Sequence, residues 1–303
     1  MKPLKILLFG KNGQVGWELQ RSLSPLGELI ALDMRDTHLC GDLTNLQGIA
    51  QTIRELKPDI IVNAGAHTAV DQAESESDLA RVINALAPGI MAQEAQLNGA
   101  WLMHYSTDYV FDGSGDTPWL ETDLTSPLGI YGQTKLEGEE AIRASGCKHL
   151  IFRTSWVYAA RGGNFARTML KLAQTRDNLN VINDQIGAPT GADLLADVTV
   201  HALRMALDKP EVSGLYHLAA GGETSWHGYA SYVIEFARQA GVEIKVATEA
   251  ILPVTSSAFP TAAKRPLNSR LNTVKLHNTF GLQLPHWQRG VTRMLTEILE
   301  KST

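Results

Sequence analysis

The sequence predicts a doubly wound parallel α/β fold with a smaller C-terminal α/β lobe. Short, continuously apolar segments alternate with helix-length stretches through the first half of the chain. A glycine-spaced turn follows the first of these segments directly, and past about Thr154 the alternation loosens. Strands that are apolar along their whole length bury both faces, as a parallel sheet with helices on each side requires.

In chain order, Ile6-Leu7-Leu8-Phe9 reads as the first strand and Gln14 to Leu23 as the first helix. The next strands are Leu29-Ile30-Ala31-Leu32, Ile60-Ile61-Val62, Trp101-Leu102-Met103-His104-Tyr105 and His149-Leu150-Ile151-Phe152. Gly, Pro, Asn and Thr then gather at Gly187 to Thr190, Gly221-Gly222 and Pro253 to Pro266, among helices expected over Leu194 to Leu207 and His227 to Ala240. Apolar residues at helical spacing from Trp287 to Leu299 form a closing helix. The expected division is a dinucleotide-binding domain over 1–154, joined by parts of 163–220, and a second lobe made mainly of 155–303. No repeat or low-complexity linker separates the two.

The 303 residues can bury a full core, and 44% hydrophobic with 19% charged residues describes a globular protein. A net charge of −5 provides no basic field for collecting a nucleic acid, although nucleotide-sized anions need only a few cations and a helix N-terminus. Cys40 and Cys147 stand in no metal-type spacing, so free thiols are expected. Met1-Lys2-Pro3-Leu4-Lys5 leads straight into a strand too brief for a signal segment or a membrane span, from which a cytoplasmic address is expected.

Gly10-Lys11-Asn12-Gly13-Gln14-Val15-Gly16 lies between the first strand and the first helix. In that context glycines bring bare backbone N–H groups against a pyrophosphate, and the helix N-terminus adds partial positive charge. Gly10 makes the turn, Gly13 the closest approach, and Gly16 lets helix and strand pack. This is the nucleotide turn of a Rossmann sheet. Asp33, at the end of the second strand, can accept from the adenosine ribose hydroxyls. It favours NADH, whereas Arg35 can accommodate a 2′-phosphate, so NADH and NADPH both stay open. Asp42, ahead of Leu43, can cap the adenine or serve an ordinary turn. Asn63-Ala64-Gly65-Ala66 ends the third strand with residues small enough to admit the middle of the cofactor.

Tyr131 and Lys135 are four apart, on one face of a helix expected to begin near Pro127 and Leu128. A phenol is a poor acid at neutral pH, and nearby cations would lower its pKa. Ser106, Thr107, Asp108 and Tyr109 stand at the carboxyl end of a strand, where open α/β sheets bind ligands. Asn84, in the helix ahead of that strand, has an amide that can bridge water to the lysine.

Together, the glycine turn, Ser106-Thr107-Asp108-Tyr109-Val110-Phe111 and Tyr-x-x-x-Lys resemble the extended short-chain dehydrogenase/reductases. The segments His67-Thr68-Ala69-Val70-Asp71-Gln72-Ala73-Glu74, Arg153-Thr154-Ser155-Trp156-Val157-Tyr158, Asn164-Phe165-Ala166, Gly187-Ala188-Pro189-Thr190-Gly191 and Arg265-Pro266-Leu267-Asn268-Ser269 resemble the dTDP-4-dehydrorhamnose reductase family. The resemblance covers nearly the whole chain. It implies NAD(P)H-dependent reduction of the 4-keto group of dTDP-4-dehydro-L-rhamnose, the last step toward a deoxysugar donor for surface polysaccharide such as lipopolysaccharide O-antigen.

It further implies Tyr131 as proton donor, Thr107 as a second hydrogen bond to the same oxygen, and Lys135 as partner of Tyr131 and of the nicotinamide ribose. Gln14, Val15, Thr68 and Tyr105 join the implied cofactor contacts. Thr107, Asp108, Tyr131 and Trp156 would surround the sugar, with Asn164 and Arg265 on the diphosphate or nucleotide. For Trp156 a place in the core is equally open. Family members reported as Mg²⁺-bridged homodimers imply Glu18, Asp193 and Glu297 as metal ligands, although Asp193 is one methylene shorter than the Glu expected there. Two other functions remain open: a nucleotide-sugar epimerase or dehydratase of the same fold, for which Asp108 beside Thr107 would be apt, and a non-catalytic regulatory subunit.

Overall fold

A computed structural model describes residues 3–300. Six strands form one parallel sheet in the spatial order Gly214–His217, Lys148–Thr154, Trp101–Thr107, Ile60–Asn63, Leu4–Phe9, Gly27–Leu32. Leu8 stands opposite Val62, Val62 opposite Met103 and Met103 opposite Leu150, so one apolar row crosses the middle of the sheet. Each strand runs slightly beyond its apolar core. The Trp101 strand in particular continues through Ser106 to Thr107, which sets both hydroxyls at its carboxyl end.

Side chains alternate across the sheet, giving two buried layers. Ile6, Leu8, Val62, Met103 and Phe152 face helices Gln14–Leu23, Ala192–Asp208 and Val274–Phe280, with Leu19, Leu195, Leu203 and Phe280 in the same layer. Leu7, Phe9, Ile61, Leu102 and Ile151 face helices Leu46–Leu56, Ala87–Asn98 and Ile130–Ser145. The sixth strand, Gly214–His217, arrives late in the chain. Its four residues carry no apolar run, so it escapes a reading based on hydrophobic pattern.

The second lobe packs helices Phe165–Thr175, Trp226–Gln239 and Trp287–Glu300 around Tyr229, Trp287, Val291 and Leu295. Strand Ile251–Val254 lies parallel to Leu179–Ile182 beside it. Cys40 and Cys147 are free. No helix among the described residues is long and apolar enough to cross a membrane.

Helix Ile130–Ser145 begins two to three residues later than Pro127 and Leu128 suggest. Gly129 is extended and contributes no side-chain cap; instead the Glu74 carboxylate accepts the Ile130 N–H at 2.9 Å. A carboxylate at a helix N-terminus satisfies an orphan donor and complements the helix dipole.

Candidate active site

The strand order reverses between Leu4–Phe9 and Ile60–Asn63, because the chain goes to Gly27–Leu32 on one side before turning to the other. Crevices of this kind, outside the carboxyl ends of the strands, hold ligands in open α/β sheets. Here a cleft of about 520 Å³ is lined by Gly10, Gly13, Asp33, Arg35, Asp42, Leu43, Ala66 and Arg161, among others. A Cβ on Gly16 would stand 2.0 Å from the Gly10 carbonyl oxygen, so only glycine lets the helix start this close to the strand end. Gln14 opens the helix with a buried, unpartnered Oε1, and Val15 packs against the sheet layer.

Asp33 takes the Asn12 amide and the Arg35 N–H, the latter at 2.8 Å. Asp42 Oδ1 accepts the Thr44 N–H at 2.9 Å and its hydroxyl at 2.8 Å, so turn chemistry is present there and the carboxylate still faces the cleft. Ala64 continues the ladder to Phe9, and Thr68 is exposed on the following loop. Both acids and the glycines line this one cleft, and Asn12 of the glycine turn reaches Asp33, which suits an adenosine next to a pyrophosphate.

Lys135 is 2% exposed, and its ammonium donates to the Tyr105 carbonyl. Its Nζ also lies 3.2 Å from His104 Nε2, while His104 Nδ1 lies 3.2 Å from the Asn63 amide. Burial and the lysine charge keep His104 neutral. Burial lowers Lys135 to about 8, opposed by Glu139 one turn on. Glu139 is itself fully buried and paired with Arg153 at 2.6 and 2.9 Å. The Tyr105 phenol points elsewhere, bonding Thr199 at 2.6 Å, so Tyr105 faces the site through its carbonyl.

Tyr131 departs from the expectation that cations depress it. Burial pushes its phenol up to about 12, the Thr107 hydroxyl offsets part of the rise by hydrogen bonding, and the Asp108 charge adds to it. The lysine, turned to Tyr105 and His104, exerts no resolved pull. A phenol held neutral is a proton donor rather than a base. Asn84 is buried in the turn Val82–Leu86, and its amide bonds the His67 backbone at 2.8 and 3.1 Å and the Thr134 hydroxyl at 3.2 Å, which anchors the loop after the third strand.

Asp108 follows Thr107 in a tight turn, 2% exposed, and burial raises its carboxyl to about 6 against hydroxyls from Ser269 and Thr107. Burial raises the Tyr109 phenol, with Asp108, Tyr131 and Asp71 adding to the rise and Arg265 opposing it. Tyr109 packs edge-on to Tyr131, centroids 5.5 Å apart. Arg265 pairs with Asp71 at 2.7 Å, which ties the Pro253 to Pro266 segment to the loop after the third strand. Trp156 is half-buried, stacked on Trp226 with centroids 3.7 Å apart, and has φ +51. A left-handed tryptophan is strained, and strain of this kind gathers at ligand sites. Asn164 caps helix Phe165–Thr175 by accepting the Arg167 N–H at 3.1 Å, and its amide holds the Ala159 carbonyl at 2.7 Å. Glu74 and His104 are the contributors that the sequence did not single out. Glu74 lies within the quoted His67 to Glu74 segment, yet its capping role needs the fold.

Glu18, Asp193 and Glu297 do line one pocket. Asp193, however, pairs with Arg293 and Glu18 with Arg21, and no His, Cys, Asp and Glu group among the described residues is arranged to hold a metal. Cations already neutralise two of the three carboxylates, so the expected Mg²⁺ ligands do not fit a metal here.

Three comparisons bear on this site. The model of the RmlD substrate binding domain family matches residues 4–300. A dTDP-4-dehydrorhamnose reductase of Salmonella typhimurium is 61% identical over 300 residues, covering 99% of this chain and 100% of the relative. Among solved structures, a Clostridium acetobutylicum dTDP-4-dehydrorhamnose reductase superposes with a TM-score of 0.87 at 37% identity, covering 98% of this chain and 100% of that one. The Bacillus anthracis dTDP-4-dehydrorhamnose reductase in complex with NADP does so with a TM-score of 0.86 at 35% identity, with the same coverage.

Proposed function

The chain belongs to the dTDP-4-dehydrorhamnose reductase family, and on that premise we propose that it reduces the 4-keto group of dTDP-4-dehydro-L-rhamnose to dTDP-L-rhamnose with NADH or NADPH. The observation that carries the proposal is the meeting of Thr107, Asp108 and a neutral Tyr131 at the carboxyl end of one strand. The cleft fits a dinucleotide: Gly10 and Gly13 of the glycine turn line it together with the carboxylates of Asp33 and Asp42, and Gly16 lets the helix start close behind that turn. When bound, the reduced nicotinamide supplies a hydride to the sugar C4 carbon.

The chain's own residues do the rest. Tyr131 donates its phenolic proton to the C4 oxygen as charge develops there, and Thr107 hydrogen-bonds that same oxygen. Positioned acid catalysis of this kind is worth roughly 10²–10⁴-fold. Lys135, buried with its ammonium on the Tyr105 carbonyl, would hold the nicotinamide ribose hydroxyls. Asp108 with Ser269 receives the sugar hydroxyls, Trp156 offers a ring face to the sugar, and Arg265 presents a guanidinium toward the diphosphate. Asn164 acts through the loop that it caps. No step uses a metal.

A cytoplasmic homodimer, and a product that feeds surface polysaccharide of the O-antigen type, belong to the same reading and are supported by family membership. The test is an assay of purified chain with dTDP-4-dehydrorhamnose. One NADH or NADPH oxidised per keto sugar consumed is expected, and chelator leaves the rate unchanged. Turnover without net oxidation, as an epimerase or dehydratase gives, would sink the reading.

A further inference from the structure

Arg161 follows the short second-lobe strand Val157–Tyr158 and reaches back to the first helix. Its guanidinium carbon lies 3.7 Å from the Trp17 ring centroid, over the face of the ring, and the residue lines the same cleft as Gly10, Gly13 and Asp33. The loop that carries it is tied at its base, because the Asn164 amide holds the Ala159 carbonyl at 2.7 Å and Arg167 holds the Ala160 carbonyl. Gly162 lies against Gln14 at the start of the helix.

Among the described residues Arg161 has no ion-pair partner, whereas Lys11 in the same turn is committed to Asp36 at 2.7 Å. Of the two guanidinium groups that line the cleft, Arg35 and Arg161, only Arg161 comes from the other lobe. An arginine over an aromatic face uses its π surface for that contact and keeps its in-plane N–H donors free. Trp17 is 45% exposed, an unusual cost for a large aromatic unless its face is in use.

We propose that Arg161 is a pyrophosphate clamp: held by Trp17, it donates to the dinucleotide phosphates from the side opposite the glycine turn and links cofactor binding to the second lobe. The proposal rests on reading the cleft as a dinucleotide site. Asp33 is taken up by the Asn12 amide and the Arg35 N–H, and Asp42 by Thr44, so among the described residues neither carboxylate pairs with the guanidinium.

The test measures dissociation constants of the full chain for NADH, NADPH and ADP, in wild type and in Arg161→Ala, Arg161→Lys and Trp17→Leu. Loss of a charge-assisted contact weakens binding about tenfold or more, so Arg161→Ala should weaken all three nucleotides alike. Arg161→Lys should recover only part, and Trp17→Leu should show a smaller loss of the same pattern. Constants within twofold of wild type in Arg161→Ala would overturn the clamp, and so would a loss confined to NADPH, which would assign Arg161 to the 2′-phosphate. If wild type binds none of the nucleotides, the clamp and the reductase reading fall together. If wild type binds them but does not reduce the keto sugar, the reaction assignment alone falls and the clamp is still decided by the Arg161→Ala constants.

Discussion

At the level of single residues, protonation decides what the site can do. Burial holds Tyr131 at about 12, so the phenol carries its proton throughout the physiological range. Tyr131→Phe should cut turnover by about 10²–10⁴-fold while cofactor affinity changes little, which steady-state rates and a fluorescence titration would show. Lys135, lowered to about 8, is charged below that pH and loses its charge as pH rises through it. Because kcat/KM reports groups of the free enzyme, it should fall above about pH 8. Lys135→Arg keeps its charge at any working pH and should abolish that limb, whatever it does to the absolute rate; a limb that persists in the variant would assign the titration elsewhere. The spacing of Tyr131 and Lys135 and the adjacent Thr107 hydroxyl and Asp108 carboxylate were legible because each pair is local in sequence. The surroundings that decide protonation were not: His104 is 31 positions from Lys135 and Arg153 is 14 from Glu139. Asn84 and Asn164 illustrate the same limit, since an amide has donors and acceptors for many roles and only the fold shows that these two hold loops.

At the scale of elements, the first strand, glycine turn and helix could be read directly, since continuous apolar residues, glycine geometry and helical periodicity agree locally. The Tyr131 helix was harder to bound because its N-terminus is capped from a distance by Glu74. Its placement depends on a close backbone approach that no pattern reveals. A Cβ on Gly138 would stand 2.2 Å from the Asn84 carbonyl oxygen. Gly138→Ala must therefore push the helix off the Val82–Leu86 turn, at about 1–3 kcal/mol, the usual range for overpacking. Urea unfolding should show that loss, and turnover should fall with it because Tyr131 and Lys135 ride on the displaced helix. Stability equal to wild type would mean that the contact is softer than the geometry indicates.

For the whole molecule, chain order and spatial order diverge. The sheet is completed by Gly214–His217, and one of its faces is covered by Ala192–Asp208 and Val274–Phe280. A strand of four residues with no apolar run carries too little signal to be found by pattern, and helix assignment alone does not say which layer a helix covers. A chain ending at Thr154 would leave Leu8, Val62, Met103 and Phe152 without Leu195, Leu203, Tyr216 and Phe280 above them. It should aggregate or lack a cooperative transition by circular dichroism, whereas a soluble, cooperatively unfolding fragment would show that the later elements are dispensable. In the proposed reaction the same continuity brings residues from both lobes to one keto sugar, with Tyr131 and Thr107 from the sheet side and Trp156 and Arg265 from beyond it. The central claim, net reduction at C4 with Tyr131 as the acid, is tested most directly by turnover with C4-deuterated NADPH or NADH. One stably bound deuterium is expected at C4 of each dTDP-L-rhamnose formed when the transferred hydrogen is labelled, with one equivalent of cofactor oxidised. Product formed without deuterium at C4 from either labelled face, or without cofactor oxidation, would contradict it.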